Sequence, residues 1–154
     1  MKVYQSSSSR ETKKFASELA RKIAKRTARK NAKGSLVFAL QGELGSGKTT
    51  FIQGFLRGLG IKKRSASPTF IIFRRFKFRN SDLGFRNLFH IDAYRIKKPR
   101  ELLALGLKEI FADPKNIVLI EWADNVGKII PKSAKRAWFF NGKKENERQI
   151  KLHG

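Results

Sequence analysis

Hydrophobic positions along this chain follow two rhythms. Phe15, Leu19 and Ile23 recur every four residues, the repeat of one helix face, and predict an amphipathic helix running to about Lys30. Ser8 and Glu11 fit a capping box at its start. The short apolar run Ser35–Leu40 reads as a strand, and Thr50–Leu59, with Phe51, Phe55 and Leu59 at helical spacing, as a helix stopped by Gly60. A polar connection from Lys62 to Thr69 contains Pro68. Phe70–Phe78 and Arg86–Asp92 then read as two strands around the turn cluster Arg79–Gly84. If they pair as a hairpin, its open end brings Thr69 beside Asp92. Pro99–Phe111 reads as a helix bent near Gly106. Ile117–Glu121 reads as a strand, and Ala134–Asn141 with Gln149–His153 as a final strand pair.

Strands alternating with helices predict an α/β protein with a central, mostly parallel sheet flanked by helices, carrying one antiparallel hairpin. At 154 residues, with no internal repeat or long linker, the chain is expected to form a single domain over residues 1–154.

The first candidate chemistry lies between the Ser35–Leu40 strand and the Thr50–Leu59 helix. Gly42-Glu43-Leu44-Gly45-Ser46-Gly47-Lys48-Thr49 matches G-x-x-x-x-G-K-[ST]. Glycines at these positions let successive backbone N–H groups point at phosphate oxygens. Lys48 is placed for the β- and γ-phosphates and the Thr49 hydroxyl for Mg²⁺. The strand–loop–helix setting also aims a helix N-terminus at the anion. Guanine-specific sites carry an Asn-Lys-x-Asp reader, which is absent here, so ATP is expected rather than GTP.

Charge changes the picture next. Thirty-five Lys and Arg oppose twelve Asp and Glu, for a formal +23. Such a field attracts polyanions such as RNA; a generally basic, solvated surface is the plainer account. The scarcity of acids is more selective. Asp92 and Glu121 each end an apolar strand-like run, and open α/β sheets bind ligands beyond the carboxyl ends of their strands. Both are candidate Mg²⁺ ligands or water-orienting groups, with His90 supporting Asp92. A zinc site is poorly supplied, with two His and no Cys. Trp122 is either a stacking surface or a ring packed at an edge. In Phe73–Arg79, aromatic and basic residues interleave as single-stranded RNA binders do, but a half-buried strand with Phe inward explains them better. No apolar run approaches the roughly 20 residues of a membrane helix, and the first residues lack a signal peptide's apolar core. A soluble, cytoplasmic protein is expected, with no membrane or DNA partner.

Taken in order, four segments resemble the TsaE (YjeE) family: Gly42–Phe51, Ser67-Pro68-Thr69-Phe70, His90-Ile91-Asp92-Ala93-Tyr94-Arg95, and Ile120-Glu121-Trp122. Thr12 and Leu105-Gly106-Leu107 are weaker echoes. The resemblance implies a P-loop NTPase fold and Mg²⁺-dependent ATP hydrolysis, slow alone, in threonylcarbamoyladenosine modification of tRNA with TsaD and TsaB partners. It implies nucleotide binding by Thr12 and by Glu43, Leu44, Gly45, Ser46, Gly47, Lys48, Thr49 and Thr50. Metal binding falls to Thr49, Asp92 and Glu121, catalytic duty to Lys48, Asp92, Glu121 and Thr69, and a switch role to Ser67–Phe70. The strong positive charge departs from the family's usual balance and makes tRNA a candidate direct partner. The alternatives are a small-molecule kinase with a phosphate loop, for which no lid segment is evident, and an RNA-binding protein with a vestigial nucleotide site.

Overall fold

The computed structural model describes residues 1–27, 32–62, 73–78 and 84–154. Its frame is a seven-stranded sheet formed by β1 (Lys2–Ser6), β2 (Leu36–Gly42), β3 (Phe73–Lys77), β4 (Asn87–Asp92), β5 (Asn116–Glu121), β6 (Lys135–Asn141) and β7 (Arg148–His153). Their spatial order is β1-β7-β6-β2-β5-β4-β3. The four central strands, β6, β2, β5 and β4, run parallel, and the outer pairs β6–β7, β7–β1 and β4–β3 are antiparallel. The expected parallel centre and β3–β4 hairpin are therefore present, and the expected final strand pair, β6–β7, carries β1 at the opposite edge. β4 and β5 are buried at every position, which is why they read as apolar runs, broken in β4 only by His90: a central parallel strand has no solvent face.

Helices α1 (Ser9–Thr27) and α2 (Lys48–Gly58) pack together with one face of the sheet, in the cluster that holds Phe38, Phe51, Phe55 and Phe139. The short helices α3 (Arg100–Leu103) and α4 (Leu107–Ala112) and a 3-10 segment, Ala123–Ile129, supply residues to a second cluster with Val37, Ala39, Ile91, Val118 and Ile120. Gly106, at φ 81, separates α3 from α4 at the expected bend.

The innermost residues of α1 are not the expected large ones. Ala16, Ala20 and Ala24 are fully buried, whereas Phe15, Leu19 and Ile23 are only partly buried beside them. The reason lies on α2, where a Cβ at Gly54 would come within 2.4 Å of Lys13 O and one at Gly58 within 2.4 Å of Ser17 O. Two helices this close need small residues at the crossing, and large side chains move to its flanks.

The β3–β4 hairpin forms in the register Phe73↔Ile91 to Lys77↔Asn87. Its phenylalanines take opposite faces: Phe76 is buried in the first cluster, and Phe73 packs on Phe89 of the second with ring centroids 5.3 Å apart. The half-buried strand reading expected them all on one core side; residues three apart on a strand cannot share a face, and both sheet faces receive them. Thr69, the Ser67–Phe70 segment and the Thr69–Asp92 juxtaposition lie outside the described residues.

Candidate functional site

β2 delivers the chain to Gly42, and α2 begins at Lys48. Gly47, the residue before the helix, has φ 100, a conformation costly for any side chain larger than hydrogen. Gly42 is pressed against β6, where an added Cβ would sit 2.5 Å from Phe139 O. The loop is thus clamped on the sheet at one end and opens into a helix N-terminus at the other.

Lys48 is buried, 5% exposed. Its Nζ donates to Gly42 O at 2.6 Å, to Glu43 O at 2.8 Å and to Ser46 Oγ at 3.4 Å. Burial pushes its pKa below the ordinary lysine value, against the opposing pull of Glu121, Asp92, Asp124 and Glu43. The ammonium also lies 4.3 Å from the centre of the Trp122 ring, a cation–π distance. Trp122 is the one described non-glycine residue at positive φ, 56°. That backbone is unfavourable for a bulky residue, and here it accompanies an indole set over the loop lysine. Tyr94 packs against the same indole, with centroids 4.9 Å apart.

Two strand ends supply the acids. Asp92 and Glu121 are register partners at the last positions of β4 and β5. Both are largely buried. Glu121 Oε1 accepts the Thr49 hydroxyl at 2.9 Å, and its Oε2 lies 3.2 Å from His90 Nε2. His90, expected to support Asp92, reaches the acid on the neighbouring strand. Asp92 Oδ1 accepts the Tyr94 N–H at 3.0 Å.

These groups share one cleft of about 240 Å³ with Thr12, Leu44, Gly45, Gly47, Lys48, Thr49 and Thr50 around its wall, together with Asp92 and Glu121. Thr12 is buried, its Oγ1 2.8 Å from Ser6 Oγ. Glu43 is exposed and offers the loop its carbonyl. Sequence reasoning missed Arg148, which lines the cleft from the first position of β7. Its Nη1 donates to Glu145 O at 2.6 Å and Glu147 O at 2.8 Å. Its Cγ lies 3.6 Å from where a Cβ would stand on Gly47. Nothing near Arg148 in sequence marks it; only the pairing of β7 with β6, and of β6 with β2, brings it to the loop.

No group of three or more His, Cys, Asp or Glu suited to a metal occurs among the described residues. A hydroxyl and two carboxylates beside a phosphate loop are instead the hard oxygen donors that suit Mg²⁺, which takes few protein ligands and relies on water and phosphate for the rest.

Fold and loop together define a phosphate-loop nucleotide-binding protein. Comparison with known proteins narrows this class. The family model for "Threonylcarbamoyl adenosine biosynthesis protein TsaE" matches residues 6–150, and the chain belongs to that family. It is 40% identical over 114 residues to the tRNA threonylcarbamoyladenosine biosynthesis protein TsaE of Bacillus subtilis, covering 74% of this chain and 66% of the relative. It is 29% identical over 113 residues to the Haemophilus influenzae protein of the same name, covering 73% and 68%. The matched span is thus about two thirds of these relatives' own length. The crystal structure of Bacillus subtilis YdiB superposes with a TM-score of 0.72 at 28% identity, over 98% of this chain and 83% of that one.

Proposed function

We propose that the chain is a Mg²⁺-dependent ATPase, working as one phosphate-loop domain in the cytoplasm, that serves threonylcarbamoyladenosine modification of tRNA together with TsaD and TsaB homologues. Family membership supports the place in tRNA modification. The observation that carries the ATPase reading is the convergence of Lys48 and Thr49 from the loop with Asp92 and Glu121 from two adjacent strand ends.

The loop N–H groups and Lys48 hold the triphosphate, with the Lys48 ammonium exchanging the carbonyls of Gly42 and Glu43 for phosphate oxygens. Thr49 and Glu121, already joined by a hydrogen bond, are the residues that hold the metal, with Asp92 beside them. When bound, Mg²⁺ neutralises charge on the β- and γ-phosphates. Asp92 orients the attacking water, and His90 fixes the Glu121 carboxylate. Water attacks the γ-phosphorus as the bond to the β-phosphate oxygen breaks, and this chain contributes by positioning and charge. Thr69, outside the described residues, is the γ-phosphate sensor in this reading. The tRNA is approached through the basic surface.

The test is reconstitution. The purified protein, mixed with its organism's TsaD and TsaB homologues, ATP, Mg²⁺ and unmodified tRNA, is expected to release phosphate faster than alone and to support formation of the modified nucleoside. Transfer of phosphate to a small-molecule acceptor, with no free phosphate, would replace this reading with a kinase.

A further inference from the structure

The half of the sheet formed by β6, β7 and β1 turns one face to the core, and among the described residues no helix covers the other. Ala137, Phe139 and Ile150 are on the buried face. Alternation along the strands puts Arg136, Trp138 and Phe140 of β6 on the opposite face, with Gln149 and Lys151 of β7 and Val3 of β1. Val3 is 53% exposed and Phe140 43% exposed, while Trp138, Arg136 and Lys151 are half-buried. The rows are set by register: Phe140 stands opposite Gln149, and Trp138 opposite Lys151, which in turn stands opposite Val3. Lys151 Nζ lies 5.1 Å from the centre of the Phe140 ring.

Two aromatic rings two residues apart on one strand stand about 6.7 Å apart along it. Cations flank both, Arg136 before Trp138 and Lys151 across from it. No strand position on this face is acidic, and Glu147, just before β7, turns its Oε2 back to the Lys144 N–H at 3.1 Å. An open sheet face bearing rings and cations is the arrangement by which proteins stack unpaired bases while drawing in the phosphate backbone. A protein partner would leave the absence of carboxylates unexplained, whereas a polyanion uses it, and the chain's formal +23 points the same way. The face also adjoins the nucleotide site: Trp138 is the register partner of Gln41, the residue before Gly42.

We propose that the exposed face of β6, β7 and β1 binds single-stranded RNA, with Trp138 and Phe140 stacking on bases and Arg136 and Lys151 contacting phosphates. This deepens the reading of tRNA as a partner and supplies the surface for it, while standing independently of ATP hydrolysis.

The test is a nucleotide-free titration of a labelled single-stranded oligouridylate, read by fluorescence anisotropy at fixed salt. Trp138→Ala and Phe140→Ala are each expected to weaken binding about tenfold or more, Trp138→Phe to retain most of it, and matched duplex RNA to bind weakly and without regard to Trp138. Removing two cations elsewhere, with Lys14→Ala and Lys22→Ala on the exposed side of α1, is expected to have a smaller effect. Thermal unfolding of each variant checks that the sheet is intact, and Phe140→Ala, at an exposed position, guards against misfolding at Trp138. Folded Trp138→Ala and Phe140→Ala proteins that bind like the unaltered chain would overturn the proposal. So would an equal loss from the α1 variant, which would mark a diffuse field. Platform variants that keep RNA binding but lose stimulation by TsaD and TsaB homologues would reassign the face to a protein interface. Loss of ATP turnover alone, with the titration unchanged, would bear on the nucleotide site and not on this one.

Discussion

Glu121 joins three elements of the site through one carboxylate. One carboxylate oxygen holds the Thr49 hydroxyl and the other meets His90, so the acid ties the loop helix to β4 through β5. Glu121→Gln keeps the shape and the hydrogen bond from Thr49 but removes the charge. It is expected to lower ATP turnover roughly a hundredfold or more while changing ATP affinity far less, measured by single-turnover hydrolysis beside equilibrium binding of a labelled nucleotide. An equal loss in both would make Glu121 a binding residue only. At this scale the sequence was informative wherever chemistry is encoded by spacing. Lys48 and Thr49 follow from the loop motif, and Asp92 and Glu121 from their place at strand ends. Arg148 was not legible, because its proximity to Gly47 depends on β7 being two strands from β2, a fact of topology that no local pattern carries. The coupling of His90 to Glu121 was likewise a matter of strand order, since a two-residue spacing in β4 points only to Asp92.

Among the elements, α1 shows how a correct period can conceal the true contact face. The Phe15, Leu19 and Ile23 stripe is real and packs on the core, but the helix approaches α2 along its alanines, at the backbone of Lys13 and Ser17. Hydrophobicity ranks a phenylalanine above an alanine; close packing reverses that order at a tight crossing. Gly54→Ala is therefore expected to destabilise the protein by about 1–3 kcal/mol, measured by urea unfolding, whereas an exposed-face change such as Lys25→Ala should alter little. The start of α1 titrates. Glu11 accepts the backbone N–H of Ser7 at 2.8 Å and its hydroxyl at 2.9 Å, while Ser8 Oγ accepts the Glu11 N–H at 3.2 Å. The Ser7 backbone bond, then its hydroxyl, lowers the Glu11 pKa below the ordinary carboxylate value. Its contribution is present above the unfolded-state value of about 4.3 and is lost as pH falls through the lower folded value. Glu11→Gln should accordingly lower the melting temperature at neutral pH, with the difference from the unaltered protein closing in acid. Strand β1 escaped sequence reading because five residues with Lys2, Gln5 and Ser6 among them carry little apolar signal. They become a strand only by pairing with β7, nearly the whole chain away.

Across the whole molecule, the parallel centre and its switch from β2 to neighbours on both sides put the loop, Asp92 and Glu121 together beyond the carboxyl ends of the central strands. That end of the strands is where an α/β sheet binds its ligands. The alternation of strands and helices in the sequence was enough to anticipate this architecture and the final strand pair β6–β7, but not β1 beyond it or the docking of β6 on β2 that brings Arg148 to the cleft. The same extension creates the open basic and aromatic face, so the feature that widens the sheet also adds to the nucleotide site and provides a surface beside it. A formal +23 spread over 154 residues then acts on encounter with polyanions generally, while the cleft selects a nucleotide by its geometry. The central claim concerns what Lys48 holds. ATP hydrolysis, assayed with TsaD and TsaB homologues present, tests it most directly when the unaltered protein is compared with Lys48→Ala of equal thermal stability. Phosphate release that depends on Mg²⁺ and vanishes in the variant is the result predicted; full hydrolysis by Lys48→Ala protein would contradict the account.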